Sequence, residues 1–309
     1  MKRFFQALLF TALCVPATAQ TYQQLYDAGK QQYEAKNYPA AINSYTAALK
    51  LNAQSASLWY NRGQAYYFSG QYEPAISDYS KALAIDPKLI NGWFQRGLSH
   101  NRMKNHSNAI ADYTAGIALA PNDEQFYYNR GIAYKDRGDV DAAYADYNKA
   151  LALNPNYAKV YVNRSQIFYS RKEYRFALAD ASKAIQLDGS YYESWDNRGV
   201  IYNSLNLPDS AILDFDMAIK MYPERPKAYV DKAISYNKKG LNDLAFTSLA
   251  KALALDPANK SAYIFRGAVY FDTKNYAASK KDMEKVLELD PGNKFATDLL
   301  ARINAMPKQ

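Results

Sequence analysis

The sequence predicts an all-α solenoid made of eight consecutive 34-residue repeats followed by one capping helix. The first observation is a fixed spacing, because five glycines lie at whole multiples of 34 residues from one another: Gly63, Gly97, Gly131, Gly199 and Gly267. A period between about 20 and 50 residues indicates a stack of supersecondary units that cannot bury their apolar faces alone. The second observation is that the chain aligns with itself at this period without insertion or deletion. The units are 22–55, 56–89, 90–123, 124–157, 158–191, 192–225, 226–259 and 260–293.

Each unit is predicted to form two helices, helix A over unit positions 1–14 and helix B over positions 18–31. In the second unit the apolar residues of each helix share one face, as helical periodicity requires. These residues are Trp59, Gly63 and Tyr66 in helix A, and Ala75, Ile76, Tyr79, Ala82 and Leu83 in helix B. Glycine at position 15, as in Gly70, suits the left-handed residue that ends a helix, and proline at position 32, as in Pro87, stops helix B.

The second unit resembles the tetratricopeptide repeat (TPR) family. The residues that carry the resemblance are Trp59, Gly63, Tyr66, Ala75, Tyr79, Ala82 and Pro87. The resemblance covers Tyr22 to Asn293 and recurs in all eight units. It implies a right-handed TPR superhelical solenoid whose concave surface, formed by the A helices, contacts extended peptides. The fifth unit departs most from the pattern, at Ser165, Ala181 and Gly189, and we expect it to be the loosest internal repeat.

The two ends of the chain are predicted to lie outside the repeats. Lys2 and Arg3, an apolar run and the small residues around Ala19 form the pattern of a signal peptide over residues 1–19. We therefore expect an exported protein, in the periplasm or at the outer surface of a bacterium, with no transmembrane segment in the mature chain. At the other end, residues 294–304 place Phe295, Leu299, Leu300 and Ile303 on one face of a capping helix.

A repeated pair of charges is predicted to form salt bridges within six units. Position 7 is arginine and position 23 is aspartate in the same six units, and the two units without the arginine also lack the aspartate. The predicted pairs are Arg62–Asp78, Arg96–Asp112, Arg130–Asp146, Arg164–Asp180, Arg198–Asp214 and Arg266–Asp282. A bidentate bridge between helices suits this pattern, and one partner buried without the other would be costly.

A second stripe along helix A is predicted to bind a ligand. Its aromatic residues at positions 5 and 12 are Tyr26, Tyr60, Phe94, Tyr128, Tyr33, Tyr67 and Tyr169, and its amides at position 6 are Asn61, Gln95, Asn129, Asn163 and Asn197. Amides carry both donors and an acceptor, so a row of them can bind the backbone of an extended peptide. This row resembles the asparagine ladder of the TPR superhelix in O-linked N-acetylglucosamine transferases. The family's chaperone-tail clamp is absent, since no unit has lysine at position 5.

The sequence carries no recurring set of catalytic, cofactor-binding or metal-ligating residues. Its two histidines, His100 and His106, occupy positions that hold tyrosine in other units and are interpreted as packing residues. The net charge of +8 falls to +6 once Lys2 and Arg3 leave with the signal peptide, and no nucleic-acid partner is expected. We expect no enzyme, no cofactor and no metal.

The function predicted from these features is a non-enzymatic scaffold for protein–protein interaction. It would bind an extended segment of a partner protein, or a peptide, in its concave groove. Two alternatives stay open: carbohydrate or cell-wall binding, because exposed aromatic rings also stack on sugars, and a structural spacer in an envelope complex.

Overall fold

The computed structural model describes residues 17–306, which form seventeen α-helices. Their bounds are α1 Ala17–Glu34, α2 Tyr38–Leu51, α3 Ala56–Phe68, α4 Tyr72–Ile85, α5 Ile90–Arg102, α6 His106–Leu119, α7 Glu124–Arg137, α8 Val140–Leu153, α9 Ala158–Ser170, α10 Tyr174–Leu187, α11 Tyr192–Ser204, α12 Pro208–Met221, α13 Pro226–Lys238, α14 Asn242–Leu255, α15 Lys260–Asp272, α16 Tyr276–Leu289 and α17 Lys294–Asn304. Eight helix–turn–helix pairs and one capping helix confirm the predicted all-α repeat architecture. Most of the predicted signal peptide lies outside the described residues.

The chain divides into two compact units after Leu153, so that the first contains α1 to α8 and the second α9 to α17. The first unit thus comprises the first four 34-residue repeats, and the second unit comprises the last four repeats and the capping helix. In both units helix A ends near position 13 and helix B begins at position 17, one residue before the predicted start. The cause is the left-handed residue at position 15, which ends helix A. Glycine fills this position at Gly70 (φ 81°), but a lysine does so at Lys36 and at Lys172. The backbone N–H of Asn37 then donates to the carbonyl of Gln32 at 2.8 Å and closes the helix end.

The core of each repeat lies where position 8 of helix A meets position 24 of helix B. In the first unit a tyrosine ring lies directly over each glycine, and a Cβ atom added to Gly63 would stand 2.8 Å from the ring of Tyr79. Tyr79 is itself fully buried. Glycine is therefore required here by the close approach of the two helices.

Neighbouring repeats within the first unit are joined by a similar fit between a large and a small residue. Phe126, at position 3 of the fourth repeat, is 1% exposed and packs over Gly116, at position 27 of the third. Alanine occupies position 27 in most other repeats, so the glycine makes room for the ring.

The last helix, α17, covers the end of the eighth repeat. Leu299 is buried against Met283 and Val286 of α16, and Leu300 and Ile303 pack beside it. Phe295 is 48% exposed, so it does not share the packed face as the sequence suggested. Asn293 caps the helix by accepting from the backbone N–H of Ala296 at 3.1 Å. No helix among residues 17–306 is long and apolar enough to span a bilayer.

Candidate binding surface on the A helices

The structure brings together all six of the predicted Arg–Asp pairs. In the fourth repeat the Nε and Nη2 atoms of Arg130 each donate to one carboxylate oxygen of Asp146 at 2.8 Å. The same bidentate geometry holds Arg62, Arg96, Arg164, Arg198 and Arg266 to the aspartates of their own repeats. Hydrogen bonding to Asp146 raises the pKa of Arg130 and outweighs the opposing effect of burial.

A third hydrogen bond ties the arginine to the preceding repeat, and the sequence analysis missed it. The Nη1 atom of Arg130 donates to the hydroxyl of Thr114 at 3.0 Å, which lies at position 25 of the third repeat. Equivalent bonds join Arg62 to Thr46, Arg96 to Ser80 and Arg198 to Ser182. A recurring hydroxyl at position 25 was the signal that could have revealed this contact.

The seventh repeat replaces this arrangement with a different ion pair. Lys232 stands at position 7, Ser248 at position 23, and the Lys232 ammonium donates to Asp216 at 2.5 Å. Asp216 occupies position 25 of the sixth repeat, where a hydroxyl precedes an arginine elsewhere. Five of the position-7 cations thus join neighbouring repeats, namely Arg62, Arg96, Arg130, Arg198 and Lys232. All of the position-7 cations are held by carboxylates, so they are not available to grip an anionic ligand.

The four aromatic rings at position 5 of the first unit each pack against the tyrosine at position 24 of the same repeat. Ring centroids are 6.2 Å apart for Tyr26 and Tyr45, 5.7 Å for Tyr60 and Tyr79, 6.1 Å for Phe94 and Tyr113, and 6.4 Å for Tyr128 and Tyr147. All four position-5 rings are half-buried. They therefore contribute to the core with one side and remain open to a ligand with the other.

The position-12 tyrosines pack across the turn onto the first residue of helix B. Tyr33 meets Tyr38 at a centroid distance of 5.7 Å, and Tyr67 meets Tyr72 at 5.5 Å. In the second unit Tyr169 makes the same contact with Tyr174 at 5.7 Å. His106 has the place of Tyr38 in the third repeat and lies 3.3 Å from Asn101, so it packs as the sequence suggested.

The amides at position 6 do not form a uniform ladder. Asn61 donates to the Tyr26 hydroxyl at 3.3 Å, whereas Asn129 and Asn163 donate to carbonyls of their own helices at 2.7 and 3.0 Å. Among the described residues, Gln95 Oε1 and Asn197 Nδ2 are buried atoms without a hydrogen-bond partner. These two amides retain hydrogen-bonding capacity that the protein itself does not use.

Each unit has a cavity on its A-helix surface, and both cavities are lined by positions 9 and 12 of one repeat and positions 6 and 9 of the next. The first, about 210 Å³, is lined by Tyr26, Lys30, Tyr33, Glu34, Tyr45, Asn61 and Gln64. Gln64 bridges neighbouring repeats there, because it accepts from the Tyr33 hydroxyl at 2.9 Å and donates to Tyr60. The cavity therefore gathers three of the predicted ligand-binding residues, together with an amide at position 9 that sequence reasoning did not single out.

The second cavity, about 130 Å³, is smaller and has different chemistry. Tyr169 and Asn197 line it, as does Lys227, whose ammonium donates to Asp196 at 3.0 Å and to Asp231 at 2.5 Å. Burial raises the pKa of Asp231, although Lys227 opposes this effect. Asp196 is at position 5 of the sixth repeat, so an ion-paired cluster in the second unit includes a position at which the first unit has aromatic rings.

His100 lies beside the Arg96–Asp112 pair. Burial lowers the pKa of His100, whose Nε2 lies 3.9 Å from an Asp112 oxygen already held by Arg96. No group of three metal-ligating side chains occurs within residues 17–306.

These features define a helical-repeat protein with an aromatic and amide-lined A-helix surface, and comparison with known families agrees. Family models described as tetratricopeptide repeat or TPR repeat match residues 29–68, 56–89, 90–123, 125–157, 226–259 and 261–293. The chain belongs to the tetratricopeptide repeat family. Members of this family are generally non-catalytic and typically act in protein–protein interaction. No curated protein matches the chain.

Solved structures share the fold at low sequence identity. A tetratricopeptide repeat protein from Parabacteroides merdae is 18% identical, with a TM-score of 0.64, and the match covers 81% of this chain and 99% of that one. The pilF protein of Pseudomonas aeruginosa is 17% identical, with a TM-score of 0.61 and coverages of 69% and 97%. A chain of the APC/C hetero-tetramer Cut9–Hcn1 is 15% identical, with a TM-score of 0.66, and the match covers 86% of this chain and 52% of that one. Such identities show a common fold alone.

Proposed function

We propose that the A-helix surface of the first unit binds an extended segment of another protein. The family typically acts in protein–protein interaction, which supports this class of function. The first unit carries four aromatic residues at position 5, whereas the second unit has Val162, Asp196, Val230 and Ile264 there. The aromatic row therefore favours the first unit as the site.

The observation that carries the proposal is the cavity between the first and second repeats. It is lined by tyrosine rings and by the amides of Asn61 and Gln64, which bond to the hydroxyls of Tyr26 and Tyr33. Its volume of about 210 Å³ is below the ~300 Å³ at which pockets for small-molecule ligands begin. The cavity therefore suits a single side chain of a longer segment, with the amides beside it bonding to the segment's backbone.

The test is selection of binders from a library of random peptides displayed on phage, with the full chain as target. Selected peptides should bind Asn61→Leu with Gln64→Leu about tenfold more weakly, which corresponds to ~1.4 kcal/mol. Leucine keeps the bulk of each amide and removes its hydrogen bonds. The matched control is Ser77→Leu with Lys81→Leu on the exposed face of α4, which should leave affinity unchanged.

Three results would contradict the proposal. Equal affinity of the folded double variant and the native chain would place the peptide elsewhere. A glycan-array signal that survives loss of both amides and disappears with Tyr60→Ala would favour carbohydrate binding. If the chain binds neither the peptide library nor the glycan array, the hypothesis of a structural spacer is the better one.

We also propose that the protein is exported and that residues 1–19 are removed. Cleavage after Ala19 would also remove the only cysteine, Cys14. Intact mass of protein isolated from its native host should correspond to a chain that begins at Gln20. A mass that includes residues 1–19 would contradict export.

A further inference from the structure

The corner of the fifth repeat, formed by the turn between α9 and α10 and the first residues of α10, presents an exposed aromatic ring among basic residues. Phe176 is 62% exposed, and one side of its ring rests on Phe168 at a centroid distance of 5.4 Å. Lys172 and Arg175 are exposed beside it, and Lys172 is the left-handed residue of the turn (φ 59°). The one carboxylate between these two cations in the sequence is that of Glu173.

Arg175 is not explained by the stability of its helix. It lies at position 18, in the first turn of α10, where the helix dipole favours a carboxylate and disfavours a cation. Four other repeats have an acidic residue at this position, namely Glu73, Asp141, Asp209 and Asp243. The charge is thus reversed at the one repeat that also places an exposed phenylalanine next to it.

We propose that this corner of the fifth repeat binds the surface of an anionic membrane. Phe176 is largely exposed, so a protein partner would have to supply a pocket for its ring, whereas a bilayer interface receives an exposed ring anywhere along its plane. Basic residues beside an aromatic ring are the composition of interfacial membrane sites. The occupant follows from charge complementarity between the exposed cations Lys172 and Arg175 and anionic headgroups.

A second exposed apolar residue in the same unit shows why charge matters here. Leu213, on α12, is 67% exposed. Asp209 and Asp216 lie one helical turn to either side of it and are ion-paired with Lys239 and Lys232, so the charges beside this leucine compensate one another. Exposure alone therefore does not mark a membrane site, and Leu213 provides a matched control.

The experiment is sedimentation of the full mature chain with vesicles of phosphatidylcholine, with or without phosphatidylglycerol, at low salt. The native chain should partition onto the anionic vesicles only. Arg175→Asp, which introduces the residue type of other repeats, should weaken this partitioning by about tenfold or more, since each basic residue contributes roughly fivefold near an anionic leaflet. Phe176→Ser should weaken it without changing the charge.

The controls are Leu213→Ser and Lys251→Asp, the latter a charge reversal at an exposed position of α14. Both should bind as the native chain does, and circular dichroism should show all four variants folded. The proposal fails if the native chain does not bind anionic vesicles, or if Lys251→Asp weakens binding as much as Arg175→Asp. It also fails if Phe176→Ser has no effect and soluble polyglutamate binds the corner equally well, which would indicate an acidic protein partner. Because the peptide site is proposed for the first unit, its failure and the failure of this corner are separate results.

Discussion

The two units solve the same packing problem in different ways. In the first unit all four repeats place a tyrosine over a glycine where the two helices meet. In the second unit the residues at positions 8 and 24 vary together: Ser165 with Ala181, Gly199 with Phe215, Ala233 with Leu249, and Gly267 with Met283. A larger residue on helix A accompanies a smaller one on helix B. The difference teaches that the repeat requires a filled space rather than a particular pair of residues.

The uniform solution of the first unit has a cost that the second unit avoids. The hydroxyls of Tyr79 and Tyr147 are buried and, within the described part of the chain, have no hydrogen-bond partner. Burial accordingly raises the pKa of Tyr79 and Tyr147 well above the usual range. Phe215 fills the same place without a polar atom. Three predictions test this comparison.

The largest effect is expected where a buried charge loses its partner. Arg130→Leu should lower the free energy of unfolding by about 3–5 kcal/mol, because it leaves the Asp146 carboxylate, whose side chain is 8% exposed, without its partner. In the second unit, Lys232→Leu should cost about 1 kcal/mol or less, since the Asp216 side chain is 50% exposed and water can replace the lysine. Denaturant unfolding of both variants measures the difference.

A double-mutant cycle provides the control for this prediction. Arg130→Leu with Asp146→Leu should recover much of the stability that the single change loses, because no buried charge remains unpaired. Additive effects of the two substitutions would show that the pair contributes no coupling energy, and the contrast with Lys232 would then need another cause.

The second effect concerns how far the residue at position 24 can yield. An added Cβ at Gly131 would lie 2.6 Å from the Tyr147 ring, which is held on all sides, so Gly131→Ala should destabilise by about 1–3 kcal/mol despite the ~1 kcal/mol that alanine gains in a helix. At Gly267 the nearest atom is the flexible end of Met283, which can move aside. Gly267→Ala should therefore change stability by less than about 1 kcal/mol.

Thermal unfolding of the two alanine variants compares these positions directly. Equal losses at Gly131 and Gly267 would show that the rigid ring is not what distinguishes the units. The expectation that the fifth repeat is the loosest internal repeat stays a prediction. Its residues at positions 8 and 24, Ser165 and Ala181, are both fully buried, although the family models match no part of residues 158–225.

The repeats and the helix pairs could be predicted from the sequence because they depend on periodicity within one 34-residue repeat. The Arg–Asp pairs followed for the same reason, since both partners belong to one repeat. The contact from Arg130 to Thr114 was missed because it joins two repeats, and a pattern within one repeat does not describe how neighbouring repeats pack.

The binding surface was harder to predict than the fold. A helical projection separates position 5 from the buried stripe, but it shows only helix A. In the structure Tyr60 packs on Tyr79 of helix B, so the ring belongs partly to the core. Replacing such rings by alanine would therefore affect stability as well as binding, which is why Asn61 and Gln64 are the better residues for testing the site.

The smallest effect is expected from removing a single hydroxyl. Tyr79→Phe should leave the free energy of unfolding unchanged or raise it by up to about 1 kcal/mol, because the lost hydroxyl is buried without a partner and its desolvation is no longer required. The reciprocal change, Phe215→Tyr, carries the same hydroxyl into the second unit and should destabilise by about 1–3 kcal/mol. Chemical denaturation of the two variants beside the native chain gives both values. A clear loss of stability in Tyr79→Phe would mean that the hydroxyl is hydrogen-bonded in solution. The tyrosine hydroxyls would then not destabilise the first unit, and the contrast with Phe215 would concern only the shape of the side chain.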